Sequence, residues 1–459
     1  MAFRTLISAG IAACALLGLT GVARAETAPL QALVGADSDL RLSGSMRLRY
    51  ERVTGQPRVG LNPTDELLAL RTVLTAEYRA GPVQVVGEVE DSRAWLGRPG
   101  SAVGANDVNT LEPIRAFVAL DLPGLLGKGS KVSLAAGRMT LGLGSRRFVA
   151  SNDYRNTTNA VTGLRTDLKG AGGMAATLFY VLPQVRLPAD QASVLANRSE
   201  LDRESGALRL LGGLVSRPHT LAGGAVELGY YRLLEHDRPG RATRDRDLHT
   251  FSARLVREPQ AGRIDFDVEG AWQSGHVSAD SAATSARLPV DAGMVHAALG
   301  YSFAGAARLR LALGGDWVSG DRAGGTYTRF DTLFGARRFE FSPSGIYAPV
   351  GRANILAPWL RLEAAPGKRV EAMALYRPLW LANRHDAFST SGVADASGAS
   401  GRFAGHQIDS RLRYWLVPAR LRAEVNYDFL AKGRFLTSAP NAPRTGDAHY
   451  VSVGVTASF

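Results

Sequence analysis

Arginine recurs on one side of an alternating stretch, Leu40-Arg-Leu-Ser-Gly-Ser-Met-Arg-Leu-Arg-Tyr50. An extended chain throws successive side chains to opposite faces, so Arg41, Arg47 and Arg49 share a polar face behind Leu40, Leu42, Met46, Leu48 and Tyr50. Guanidinium groups presented this way bind carboxylate or phosphate oxygens through their planar forks. By the same parity, other stretches present Arg71, Arg115, Arg165, Arg361, Arg411 and Arg413, with Arg79, Arg254, Arg310 and Arg422 beside them. Carboxylates answer them at Glu77, Glu88, Glu90, Glu363 and Glu424. In Ile264-Asp-Phe-Asp-Val-Glu-Gly-Ala-Trp272, the residues Asp265, Asp267 and Glu269 form an acidic stripe, a partner wall for an arginine-rich one. Charges gathered on faces turned away from lipid or core predict a hydrated interior, where excess arginine concentrates anions. The competing structural reading is a set of ion-pair ladders that only brace a wall. For the set as a whole the excess of basic over acidic residues favours the first.

The other chemistries find little support. Eight histidines (219, 236, 249, 276, 296, 385, 406 and 449) fall mostly in expected loops or turns, with no G-x-S-x-G elbow and no metal-ligand spacing. Gly124-Leu-Leu-Gly-Lys128 has two residues between its glycines where a phosphate loop requires four. Cys14 is the only cysteine and lies in the N-terminal apolar run. No catalytic residue, metal or cofactor is therefore expected.

Formal charge is +12, and removing Arg4 and Arg24 with an N-terminal signal leaves +10. Lysine occurs only at 128, 131, 169, 368 and 432, so 49 of the 54 basic residues are arginine. These arginines are interleaved with carboxylates along strands and not gathered into a basic arm or helix, which argues against a nucleic-acid partner.

What must position these side chains is a sheet. Period-2 alternation recurs in about 18 ten-residue stretches, near 40–51, 67–79, 82–91, 111–121, 131–139, 160–168, 174–183, 205–215, 223–235, 247–257, 263–274, 293–303, 307–318, 355–365, 369–381, 405–416, 419–430 and 447–459. Long connections (Arg52–Glu66, Ser92–Thr110, Gly275–Ala292, Ser319–Asn354) alternate with short ones (Ala80-Gly81, Ala304–Ala306, Pro366–Lys368). An all-β, antiparallel, up-and-down transmembrane barrel of outer-membrane type has this even strand count and loop asymmetry. On that topology Tyr50, Trp272, Trp317, Tyr376, Tyr427 and Phe429 fall at outer strand ends, and Tyr78, Tyr301, Phe303, Tyr414 and Phe459 at inner ends. These are the two interfacial girdles.

The ends of the chain point to the same compartment. Residues 1–25 carry Arg4, an apolar run from Leu6 to Leu19 and a terminal Ala23-Arg24-Ala25, the pattern of a cleaved secretory signal. Residues 26–39 form a short periplasmic lead and 40–459 the barrel. The closing strand Tyr450-Val-Ser-Val-Gly-Val-Thr-Ala-Ser-Phe459 ends on an aromatic, as barrel-assembly machinery would read it. The bilayer and that machinery are the expected partners.

Two regions resemble the alginate-export family of outer-membrane barrels. The first holds Gly137-Arg138, Arg146-Arg147-Phe148, Asp153-Tyr154-Arg155-Asn156-Thr157 and Gly163-Leu164-Arg165. The second holds Gly320-Asp321, Phe330-Asp331-Thr332-Leu333-Phe334, Arg337-Arg338-Phe339, Gly351-Arg352-Ala353-Asn354 and Leu379-Trp-Leu-Ala-Asn-Arg-His-Asp-Ala387. The resemblance implies 18 strands around an electropositive constriction that passes an anionic uronate polymer. Placed by inward parity, Arg47, Arg71, Arg115, Arg138, Arg165, Arg361 and Arg411 are its expected lining. Arg138 shares the alternate of Val132, Leu134 and Ala136 and reaches the lumen only if a bulge intervenes. The loop Ser319–Asn354, rich in glycine and aromatics, either folds inward as a plug, the favoured arrangement, or covers the outer mouth. A substrate-specific uptake porin for small organic anions fits the same lining, and an outer-membrane barrel enzyme fits it less well.

Overall fold

The structure, a computed structural model, describes residues 29–152, 154–282, 284–337, 340–341 and 345–459. The expected signal at 1–25 lies outside them. Eighteen strands follow in order: β1 Leu40–Thr54, β2 Thr64–Ala80, β3 Val83–Trp95, β4 Asn109–Pro123, β5 Lys131–Met139, β6 Val161–Lys169, β7 Ala175–Pro183, β8 Leu208–Arg217 and β9 Ala225–Glu235. Then come β10 Asp247–Arg257, β11 Ile264–Ser278, β12 Arg287–Ser302, β13 Arg310–Val318, β14 Ile355–Ala364, β15 Val370–Trp380, β16 Phe403–Val417, β17 Leu421–Lys432 and β18 Ala448–Ser458. Every expected strand is present. The largest differences are six residues at the start of β12 and four at the ends of β3 and β11.

Each strand pairs antiparallel with its neighbours in sequence, and β1 pairs with both β2 and β18, which closes the sheet. Closure leaves no unpaired edge, so every strand can satisfy its backbone in lipid. Among described residues the helices are short pieces, a 3-10 turn at Gln31–Leu33 and the one-turn α1 Gln191–Leu195 and α2 Arg434–Ser438.

Loops of two sizes alternate. At one end lie 55–63, 96–108, 140–160, 184–207, 236–246, 279–286, 319–354, 381–402 and 433–447; at the other, 81–82, 124–130, 170–174, 218–224, 258–263, 303–309, 365–369 and 418–420. Apolar side chains such as Leu74, Val118, Leu164, Leu228, Leu313, Leu360 and Val453 stand exposed on the outer wall, as a lipid-facing band requires. Trp272, Trp317, Tyr376 and Tyr427 edge the band near the long loops. Tyr78, Tyr301, Phe303 and Tyr414 edge it near the short turns.

The interior departs from an evenly charged lumen. Inward residues near the outer strand ends (Val53, Leu67, Leu233, Leu248, Val318, Ile355, Leu379, Leu430) are apolar and fully buried. They pack against Leu141, Leu143, Phe148 and Val149 of loop 140–160, and against Phe341, Ile346, Tyr347 and Val350 of loop 319–354. Both loops therefore fold into the barrel. Their apolar surface has to be covered, so the outer half of the wall is greasy and the charges are confined to the middle and inner half.

Candidate functional site

Loop 140–160 crosses the lumen. At one wall Arg147 donates to Asp267 (2.9 Å) and Glu269 (2.6 Å) on β11. At the other, the Asn156 amide donates to the carbonyls of Leu70 and Arg93, both at 3.1 Å, on β2 and β3. Eight strands lie between β11 and β2 in either direction round the closed sheet, so these are opposite walls. Tyr154 Oη reaches Tyr450 Oη (3.0 Å) on β18, and Thr158 donates to the buried Glu90 (2.7 Å).

Loop 319–354 lies against the same crossing, the favoured plug arrangement. Tyr347 stacks on Tyr450 and donates to Gln407 on β16, while the Ile346 amide donates to Glu51 on β1. Its Glu340 receives Arg147, Arg352 and, at its backbone carbonyl, Arg377 of β15. Burial opposes the Glu340 charge, but Arg147 and Arg352 hold its carboxyl well below the usual carboxylate range. His296 and Asp316 lie within reach of Glu340, a grouping that histidine spacing did not foretell. Because Arg147 and Arg352 already occupy the Glu340 oxygens, a cation there would meet two guanidinium groups.

Below the crossing, a cavity of about 330 Å³ is lined by Arg47, Arg49, Arg146, Arg411, Arg413 and Arg422, with Glu424 the one acid among its lining residues. Five of these arginines come from β1, β16 and β17, adjacent around β18, and the sixth from the crossing loop. Arg47 and Arg49 donate to the carbonyls of Arg155 and Tyr154, each at 2.6 Å, so the wall arginines also anchor the loop. Arg413 pairs with Glu424 (2.5 Å) and Glu371 (3.2 Å), and Arg49 with Glu51 (2.6 Å).

The other expected residues are spread around the wall. Arg71 pairs with Glu90 at 2.8 Å and stands opposite Arg47 in the β1–β2 register. Arg115 pairs with Glu88 (2.5 Å) and Glu77 (3.6 Å); Arg165 pairs with Asp167 (2.8 Å); Arg361 lies over the Trp359 ring. These four are not among the residues that line the cavity with Arg47. Arg138 keeps the parity of the exposed Leu134, and its guanidinium ends on Glu112 and, at 3.2 Å, Glu204 of loop 184–207. The irregularity there is Gly137, at φ +129°, where a Cβ would stand 2.4 Å from the Ala116 carbonyl oxygen. Glycine is the residue that permits that kink.

The acidic stripe lies across from the arginine wall, but it is answered locally. Asp265 takes Arg310 (2.5 Å), Asp267 takes Arg254 (2.7 Å) and Arg147, and Glu269 takes Arg147. On this side the bracing-ladder arrangement holds, and the net positive surface is concentrated at β16, β17 and β1.

The alginate export family matches residues 38–448. This chain belongs to that family. Its fold is shared with solved porins of Pseudomonas aeruginosa at low sequence identity. OpdQ is 14% identical with TM-score 0.55, covering 92% of this chain and 98% of OpdQ. OpdO is 14% identical with TM-score 0.56 over 92% of this chain and 97% of OpdO. OpdK, solved with vanillate, is 13% identical with TM-score 0.53 over 91% and 98%. No curated protein sequence matches the chain. Family and fold are those of outer-membrane channels.

The arginines of the lining were legible from strand parity; the part played by Arg146 and Arg147 in the lumen was not. The available signal was the run Leu141, Leu143, Phe148, Val149 and Ala150, too apolar for a loop in water.

Proposed function

We propose that this alginate-export family member is an anion-preferring outer-membrane channel whose cargo is an anionic saccharide such as alginate. The single observation that carries this reading is the cavity below the crossing loop, where six arginines meet one glutamate. Enclosed between low-dielectric walls, such an excess raises the local concentration of carboxylates and repels cations. A pyranose uronate offers one carboxylate per sugar, which suits a wall of arginines on neighbouring strands. Assembly through the closing strand ending in Phe459, with help from barrel-assembly machinery, belongs to the same reading.

The size of the cavity favours a second reading. About 330 Å³ below a crossing loop also accommodates a small organic anion, and one barrel of the same fold was solved with vanillate. Reversal potential under a salt gradient in planar bilayers, followed by titration with oligouronate, vanillate and a neutral oligosaccharide, separates these readings. Anion selectivity with block by oligouronate alone supports the polymer channel. Block by vanillate alone supports the small-anion porin, and cation selectivity overturns both.

A further inference from the structure

Above the crossing loop lies a second cavity, of about 370 Å³, which the reading above does not use. Arg155, Arg329, Arg337 and Arg352 line it with Thr332, Ser389 and Thr390. Two of these arginines are already committed: Arg329 pairs with Asp386 at 2.5 Å, and Arg352 with Glu340. The other two are not. Among the described residues Arg337 donates to neutral oxygens alone, Thr390 Oγ1 at 3.2 Å and the Ala348 carbonyl at 3.4 Å. Among the described residues Arg155 makes no ion pair, and its Nε is buried without a hydrogen-bond partner.

More positive charge converges on the same place. Arg186, from loop 184–207, is close enough to oppose the charge on Arg155, although its own hydrogen bonds end on the neutral amide oxygens of Asn159 (2.7 Å) and Asn106 (2.5 Å). Arg337 is opposed in turn by Arg58 from loop 55–63. Burial, together with these like charges, pushes both the Arg155 and the Arg337 guanidinium below the ordinary arginine value. Arginine stays protonated in proteins, so the relief for such a cluster is a counter-anion and not proton loss. Of the nearby carboxylates, Asp331 in the cavity lining is taken by Arg246 at 2.8 Å, and the charge of Asp107 is itself opposed by burial and by Glu51.

We propose that Arg155 and Arg337 form a second anion-binding station, on the outer side of the crossing loop, that takes a carboxylate or an equivalent oxyanion. Arg155 joins it to the first: its side chain lines the outer cavity while its carbonyl receives Arg47 of the inner one. Treating the two cavities as stations in series for one cargo rests on the channel reading. The outer site itself does not.

The test is calorimetric titration of the full chain, folded in detergent micelles, with inorganic sulfate and with glucuronate, using glucose as the neutral control. Wild-type protein is expected to show two saturable sites per barrel for each anion. Arg155→Gln combined with Arg337→Gln should lose one, weakened by roughly tenfold or more, as expected for charge-assisted hydrogen bonds. Arg47→Gln with Arg411→Gln should lose the other and keep the outer one. Heat-modifiable gel migration confirms that each variant is a closed barrel. The proposal is overturned if the Arg155/Arg337 variant titrates like wild type, or if the Arg47/Arg411 variant abolishes all binding. Cation selectivity in bilayers with the outer site intact would sink the channel reading alone.

Discussion

Arg147 Nε donates a 2.8 Å hydrogen bond to Glu340 Oε1 and so fastens together the two loops that fold into the barrel. The same arginine grips Asp267 and Glu269 on β11, while Glu340 also holds Arg352 and, through its carbonyl, Arg377. The two loops are thus joined at one buried carboxylate among three arginines. Removing it leaves guanidinium charge buried without its partner, a loss of about 3–5 kcal/mol for the loop assembly. Glu340→Gln is expected to raise single-channel conductance and protease sensitivity of loop 319–354, with the barrel still closed on gels. Unchanged conductance would show that the passage is not set by this contact.

A pH dependence follows from Asp107 in loop 96–108. Burial, with the Glu51 charge nearby, pushes its carboxyl up to about 6, above the roughly 3.9 of an unfolded aspartate. Between those values the folded loop binds more protons than the unfolded one, so its stability falls as pH rises from about 4 to 6. The upper bound on that fall is roughly 2–3 kcal/mol. Hydrogen exchange across 96–108 should therefore quicken between pH 4 and 7 beyond its intrinsic rate. Asp107→Asn should flatten the excess; an equal slope in the variant refutes the assignment.

Selectivity should divide the arginines by place. Arg411→Ala and Arg413→Ala, in the cavity wall, are expected to move the reversal potential toward zero. Arg138→Ala is not, because that guanidinium serves Glu112 and Glu204 at the rim. Its cost is to the order of loop 184–207. A shift of equal size from Arg138→Ala would mean that the rim and not the inner cavity filters ions.

How far these arrangements are readable from sequence depends on whether the signal is local. Strand number, parity and the two aromatic girdles follow from a two-residue period and from the solvent on each face, so the shared face of Arg47, Arg49, Arg411 and Arg413 can be read from neighbours alone. The six extra residues at the start of β12 escaped because Arg287–Ala292 extends past the bilayer, where alternation no longer has to be apolar. The crossing by loop 140–160 is a contact between residues more than a hundred positions apart, such as Arg147 with Glu269, and no period announces it. Arg138 shows the reverse case: alternation sets it on the parity of Leu134, and beside the irregular Gly137 its guanidinium ends on Glu112 and Glu204.

Barrel closure supplies the last prediction. Gly44 and Phe459 exchange both backbone hydrogen bonds (2.7 and 2.9 Å), so the final residue extends the β1–β18 seam by one pair. A Cβ on Gly44 would sit 2.5 Å from the Phe459 ring, which means that the ring lies directly over the glycine. Any larger residue at 44 displaces that ring from the seam. Gly44→Val is therefore expected to slow closure and increase the unfolded band on unheated gels, and Phe459→Ala to do the same through lost ring contact. Combining Gly44→Val with Phe459→Ala should recover part of the loss, since the clash disappears with the ring. Strict additivity of the two defects would show that they act on separate steps and that the ring does not pack on Gly44 during closure.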